Sequence, residues 1–598
     1  MAIAQNFPLV KPSLLLDFSN TEALDSRVTF ARASTATYYG TQTAKAEQNL
    51  LTYSQEFNTG WTYNSASVTG NTTVAPDGTT TADTIAFVDT AVSRVYQAFA
   101  GNGSAFTFSV FAKYIDKQWI AFLLVDSGGV NRFVWFDVQN GVVGTTQAGI
   151  TASIVASTNG FYRCIATINT TATSNFAMIY GVNGDGSTSN VGQTGSIAAW
   201  GAQLEQRSAV TAYQVTTTQP ITNYIPVLET AASGVARFDH NPTTFESLGL
   251  LIEEQRTNLA LYSEDFSNAA WTKSNSTVTA NTIVAPDGTL TTDKLIANSG
   301  TQTSRVSNGG VAITAQAYTF TVYAKRGEKR YLQIFFDANQ FNTTSFVNFD
   351  LQDGVLGTVG STATASIDAV GNGFYRCRIS ATSNAATTPA TLMYVQIVDS
   401  ATAVRNATCA GNGFDGIYIW GAQLEAGAFS TSYVQTVASQ VTRAADSASM
   451  TGTNFSDWYR ADEGTLYGEV ATPAITGGSL LYALSNSSLS TQNTIYSTLA
   501  AVSHLVVRIN NATTVNLDGG TYLNNVYSKT AGAYKVNDFA VSLDSGTVAT
   551  NTNSVLPLVD RMFIGANSAG TSAGALTIKK IAYYPQRLTN TQLQALTS

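Results

Sequence analysis

The chain has 598 residues, of which 12% are charged and 11% aromatic, with a formal net charge of −8. Aromatics at that level exclude disorder, and the absence of a basic footprint argues against nucleic-acid binding. No apolar run nears the roughly 18 residues of a membrane span and no signal-peptide pattern opens the chain, so neither membrane insertion nor export is expected.

Residues 1–48 hold Leu14-Leu15-Leu16 and Val28-Thr29-Phe30-Ala31-Arg32 but show no core of their own. They read as an N-terminal attachment segment, or as strands that pack on the next domain. From Asn49 the texture is of short strands. Phe106-Thr107-Phe108-Ser109-Val110-Phe111 alternates bulky and small side chains, the period-2 signature of a half-buried strand. Trp119–Val125 and Phe133–Val138 read as further strands, with Asn140-Gly141 and Asn159-Gly160 as turns. Residues 217–247 read as a linker whose Asn241-Pro242 marks a turn, followed by the apolar strand around Leu250. After Asp446 come the strands of an unrelated unit, among them Ser503–Ile509 and Phe539–Leu543. It closes on a short helix capped by Thr589.

Trp200-Gly201-Ala202-Gln203-Leu204-Glu205 returns letter for letter as Trp420-Gly421-Ala422-Gln423-Leu424-Glu425, 420 − 200 = 220 positions on. Phe161-Tyr162-Arg163-Cys164 returns at Phe374 (offset 213) and Pro76-Asp77-Gly78-Thr79 at Pro286 (offset 210). Offsets that grow from 210 to 220 describe one duplicated domain with a few loop insertions. The expected organisation is an attachment segment (1–48), β-sandwich repeat 1 (49–216), a linker (217–247), β-sandwich repeat 2 (248–436) and a last sandwich (437–598). The fold class is all-β: tandem duplicated jelly-roll sandwiches followed by a concanavalin A-like sandwich. Cys164 and Cys377 occupy one repeat position and are expected as buried strand residues, not as halves of a bridge.

Asn258-Leu259-Ala260-Leu261-Tyr262-Ser263 with Trp271, and Ile417-Tyr418-Ile419-Trp420-Gly421-Ala422, resemble modules of tailed-bacteriophage virion structural proteins. So do Arg237-Phe238-Asp239-His240-Asn241-Pro242 and Val441-Thr442-Arg443-Ala444-Ala445-Asp446. The repeats are similar to carbohydrate-binding-module jelly rolls, and the last unit resembles concanavalin A- or laminin-G-like lectin domains. The resemblance implies a structural component on the virion surface (a fibre, tail appendage or head decoration), made in the host cytoplasm. It implies adhesion to host surface polysaccharide, with other virion proteins and copies of itself as partners; a trimer is expected by analogy with phage fibres. The alternatives are a dedicated receptor-binding adhesin and a glycan depolymerase.

The chemistry favours binding over catalysis. Glycan hydrolysis needs two carboxylates roughly 5–10 Å apart across one cleft. The carboxylates that recur in both repeats, Asp77/Asp287, Asp83/Asp293, Asp137/Asp350 and Glu205/Glu425, read as turn caps and strand ends. His240 and His504 lie in different units, so no metal site, cofactor or Ser/His/Asp site is expected. Trp119 and its counterpart Tyr331, following Lys117 and Lys329, form the candidate carbohydrate-binding set. Trp61, Trp271, Trp200 and Trp420 are expected in the core.

Overall fold

The structure is a computed structural model that describes Pro8 and residues 10–170, 174–384, 386–473, 479–488, 491–499, 502–567, 570 and 574–598. The duplication is visible strand by strand. In repeat 1 a front sheet runs Val142–Thr146, Asn131–Asp137, Trp119–Val125, Ser174–Gly181, Arg94–Ala100, Thr62–Asn64. Its counterpart in repeat 2 runs Val355–Val359, Phe346–Asp350, Tyr331–Phe336, Met393–Val398, Ser304–Asn308, Thr272–Ser274 in the same order. The back sheets match equally, each centred on the strand pair that carries the six-residue motif: Gly195–Glu205 beside Ala105–Tyr114, and Gly416–Ala426 beside Ala317–Arg326. Alternate residues such as Phe106, Phe108 and Val110 meet Ile120, Phe122 and Leu124 in the core of repeat 1. The three cysteines are buried and free.

The repeated motif is a structural device. Trp200 pairs with Phe111 but Gln203 pairs with Ser109, so one extra residue bulges out of the strand. Gly201 takes the bulge at φ +64, and Gly421 takes it at the same φ in repeat 2, where only glycine sits without strain. The extra residue resets the alternation: Ala202 and Leu204 turn into the core while Gln203 and Glu205 turn out. The outward Gln203 then accepts from the Gln214 amide, and Glu205 accepts from the amide of Thr211, fastening the returning chain to the sheet. Gln423 and Glu425 do the same to Val434 and Thr431. Trp200 and Trp420 are buried at equivalent places, each donating its indole N–H to a threonine, Thr81 and Thr291. Asn49 and Asn258 open the two repeats, each bridging the motif strand to the returning segment through four matching backbone bonds.

The third sandwich corrects the expected domain boundaries. Its first sheet contains Arg237–His240 and Ser247–Glu253 as well as Leu14–Asp17, which pairs with Ala575–Tyr584. Its second sheet begins with Thr29–Ala31, paired with Ser447–Thr451. Residues 14–31 of the segment read as an attachment arm, residues 237–247 at the end of the stretch read as a linker, and residues 248–253, read as the start of repeat 2, are therefore parts of the last sandwich. Their apolar residues Leu14, Leu16, Phe18, Val28, Leu250 and Ile252 fill its core, which residues 447–598 alone leave incomplete. Each repeat is thus an insertion between strands of this hub. The paired strands Ala36–Asn49 and Ile221–Ala231 lead into and out of repeat 1. This ribbon also packs on the outer back face of repeat 2, over Tyr323, Phe374, Tyr418 and Trp420. Glu47 of the ribbon accepts there from Lys325 at 2.8 Å and from Asn372 at 2.8 Å.

Five buried charged residues join the three segments. Asp446 accepts from Arg32 at 3.1 Å and Arg237 at 2.6 Å, while Glu253 pairs with Arg237 at 2.7 Å and Arg443 at 3.5 Å. Burial alone raises the Glu253 carboxyl; the guanidiniums of Arg443 and Arg237 and the bonds from Ser432 outweigh it and hold the carboxyl at about 2.

Deleting residues 1–31 removes four buried apolar side chains from the hub core, worth about 6 kcal/mol or more, which is comparable to the stability of a whole domain. Limited proteolysis is expected to cut the truncated chain within residues 447–598 while both repeats stay resistant. A second prediction comes from Glu264, which stands where repeat 1 has Gln55. Burial, with Asp287 nearby, pushes its carboxyl up to about 7, despite hydrogen bonds from Tyr433 and Gln435. A folded pKa above the ordinary 4.5 means stability is full below pH 4.5 and is lost as pH rises through about 7. Glu264→Gln is expected to raise stability at pH 8 by about 2 kcal/mol and to change nothing at pH 4, measured by urea unfolding.

Candidate functional site

Alternation along the front strands of repeat 1 sends Ile120, Phe122, Val134, Phe136 and Ile179 inward and leaves a second aromatic set on the outer face. Pairing puts Phe133, Leu123, Met178 and Tyr96 in one row across four strands, and Trp135, Ala121, Tyr180 and Arg94 in the next. Phe133 stacks on Trp135 with centroids 5.6 Å apart and meets the edge of Tyr180 at 5.5 Å. At the other end Tyr96 and Phe176 meet edge to face at 5.6 Å. The Arg94 guanidinium lies 5.2 Å over Tyr96 and 5.5 Å over Tyr180, and it donates to the Tyr180 hydroxyl. A loop carrying Ser187 accepts the Trp135 indole N–H and covers that ring. Tyr96, Phe133 and Phe176 remain half-buried. Three strand spacings, roughly 14 Å, separate Tyr96 from Phe133, with Leu123 and Met178 between them.

The same positions in repeat 2 have a different chemistry. Phe335 and Tyr394 stack at 4.5 Å and are capped by Arg405 at 4.7 Å and Arg305 at 4.9 Å. Where repeat 1 has Trp135, Ala121 and Tyr180, repeat 2 has Asn348, Gln333 and Gln396, all fully buried. Asn348 donates to the carbonyls of Ala401 and Ala403, Gln333 to that of Val404, and Gln396 to that of Ala407. The polar row binds a loop of its own chain across the sheet.

Trp119 and Tyr331 occupy equivalent, half-buried positions at the next row of each face. Trp119 packs against Gly144, whose added Cβ would fall 2.7 Å from the indole. Tyr331 lies under the Arg330 guanidinium at 5.2 Å, which Asp350 and Asp353 hold in place. The two lysines are occupied. Lys117 is buried and gives its ammonium to Asn190 and, at 3.2 Å, to Gln193; burial lowers its pKa. Lys329 pairs with Asp399 at 3.1 Å and bonds the Ala410 carbonyl. Both fasten loops. Tyr96, Phe133 and Phe176 escaped the sequence reading. Their signal was present in the doubled alternation of Phe133-Val134-Trp135-Phe136, in which both faces of one strand carry aromatics.

The recurrent carboxylates are engaged within their own repeats. Asp77 and Asp287 accept from the amides of Thr79 and Thr289 two residues on, as turn caps do. Asp137 and Asp350 cap the turns that follow them. Asp83 and Asp293 each hold two backbone amides, and burial pushes Asp293 up to about 6. Among the described residues no group of three or more His, Cys, Asp and Glu side chains is placed to hold a metal ion.

No family profile and no curated protein matches the chain. Among solved structures it is similar to domains LG4-5 of the mouse laminin alpha1 chain, at 8% identity over 48% of this chain and 92% of that one, TM-score 0.17. The N-terminal CBM22-1–CBM22-2 tandem domain of Paenibacillus barcinonensis Xyn10C aligns at 11% identity over 64% and 99%, TM-score 0.19. Trypanosoma rangeli sialidase aligns at 10% over 94% and 97%, TM-score 0.21. Likenesses this distant carry no argument; the fold assignment rests on the strand order itself.

Proposed function

We propose that this protein is an adhesive structural component that binds a surface glycan without cleaving it, through the outer front face of repeat 1. One observation carries the reading: the half-buried aromatics of one face, Tyr96 beside Phe176 at one end and Phe133 at the other, flanked by an Arg94 that forms no salt bridge among the described residues. Aromatic faces at this spacing offer stacking surfaces to successive pyranose rings, and a guanidinium supplies donors for hydroxyls or acidic substituents. Repeat 2 lacks this surface because its own loop occupies it, so one chain presents one such face. Display on the exterior of a bacteriophage particle, beside other virion proteins and as a homo-oligomer, rests on the motif resemblance alone. Labelling of intact particles with an antibody against repeat 1 tests it directly.

Titration with a panel of bacterial surface polysaccharides, paired with a reducing-end assay, tests the binding. Tyr96→Ala and Phe133→Ala are each expected to weaken binding about tenfold, near 1.4 kcal/mol, with little change in melting temperature. Release of reducing ends, or unchanged affinity in both variants, would overturn the reading.

A further inference from the structure

The second sheet of the hub has an outer face of a different kind. Leu484, Ile495, Val507 and Met562 point into the core, so their strand neighbours point out. Pairing aligns Arg561, Ser485, Thr494 and Arg508 in one row across four strands, and Phe563, Ala483, Tyr496 and Val506 in the next. Ser485 is 0% exposed and Thr494 1%, yet neither hydroxyl has a hydrogen-bond partner. Buried hydroxyls are rarely left so, because each unpaired one forfeits its bonds to water. On the same face the Thr498 hydroxyl, His504 Nδ1 and Arg508 Nε are also buried without partners. Arg508 lies 5.6 Å over the half-buried Tyr496 ring and forms no salt bridge among the described residues. Arg561 closes the row, paired with Asp560 at 2.8 Å. Asp518, aligned with His504, is the carboxylate on the neighbouring strand, and its Oδ1 is taken by the Gly520 amide.

We infer that this face is a second ligand site, for a saccharide that bears a carboxylate. The free guanidinium takes the carboxylate, the two unpartnered hydroxyls of Ser485 and Thr494 complete its shell, and Tyr496 and Phe563 receive the ring. The site lies on the hub and does not depend on the repeat 1 face.

Calorimetric titration of the full chain with oligogalacturonate, oligoglucuronate and a sialylated oligosaccharide tests it, with each methyl ester and free acetate as controls. At least one acid is expected to bind about tenfold more tightly than its ester, and Arg508→Leu to abolish that difference. Thr494→Val is expected to weaken binding while leaving or raising the melting temperature, since it removes a buried unpaired group. Tyr96→Ala is expected to leave this binding unchanged, which separates it from the repeat 1 face. The inference is overturned if no acid binds, if esters or acetate bind equally well, if Arg508→Leu has no effect, or if Thr494→Val lowers stability with affinity intact.

Discussion

The architecture depends on the buried ionic junction of Arg32, Arg237, Glu253, Arg443 and Asp446. These residues come from the end of the first hub segment, both strands of the second, and the chain that leaves repeat 2 for the third. Removing charges from water is expensive, and opposite charges with further hydrogen bonds offset that cost. Here three guanidiniums share two carboxylates, and backbone takes further donors: Arg237 also donates to the Thr37 carbonyl, Arg32 to that of Ala232 and Arg443 to that of Glu254, while Nε of Arg237 and of Arg443 has no hydrogen-bond partner among the described residues. The two acids are tied to each other as well. The Glu253 amide donates to the Asp446 carboxylate, and the Asp446 amide donates to the Glu253 carbonyl. An apolar cluster of similar volume has no directional bonds, whereas these five charges join the three segments through bonds of defined geometry.

That geometry matters because the contacts are so distant in sequence. Arg32 and Asp446 are 414 residues apart, and two whole repeats are strung between the hub's strands. Closing such loops costs entropy that grows only slowly with their length, so insertion of folded sandwiches is tolerable if the strands flanking each one are pinned. The ribbon Ala36–Asn49 with Ile221–Ala231 pins repeat 1, and the short ladder of Arg256–Asn258 with Val441–Arg443 pins repeat 2. The ribbon does a second task by covering the aromatic back face of repeat 2, so the two copies are no longer equivalent in their surroundings.

What was legible in the sequence was what local chemistry decides. The alternation around Phe106, the Asp77 and Asp287 turns and the Thr589 cap with its reciprocal Gln592 bonds all follow from neighbours within a few residues, and the burial of Trp200 and Trp420 from the size and apolarity of the ring. The hub was not legible, because Leu14-Leu15-Leu16 looks coreless until Ile581 and Tyr583 are brought beside it from the far end of the chain. The ionic junction was visible only as motifs of a resemblance. Of the candidate site, Trp119 and Tyr331 lie half-buried at equivalent places on the outer front faces, but their lysines are loop fasteners. A lysine's sequence neighbours do not reveal the Asn190 or Asp399 that will claim it.

Duplication explains why the two front faces can differ so far on one framework. The groups that hold each sandwich together face inward or line the back sheet, and these are conserved between the copies in kind and in bonding, from the Gly201/Gly421 bulge to the Asn49/Asn258 bridges. The outer front face carries no such duty, so its residues are free to diverge. In repeat 2 they are amides and arginines that anchor a loop, which makes the face interior. In repeat 1 they are aromatic and partly open to water. Aromatic rings left half-exposed forgo burial that a loop like that of repeat 2 would supply. Under the proposed function, a bound glycan supplies that cover.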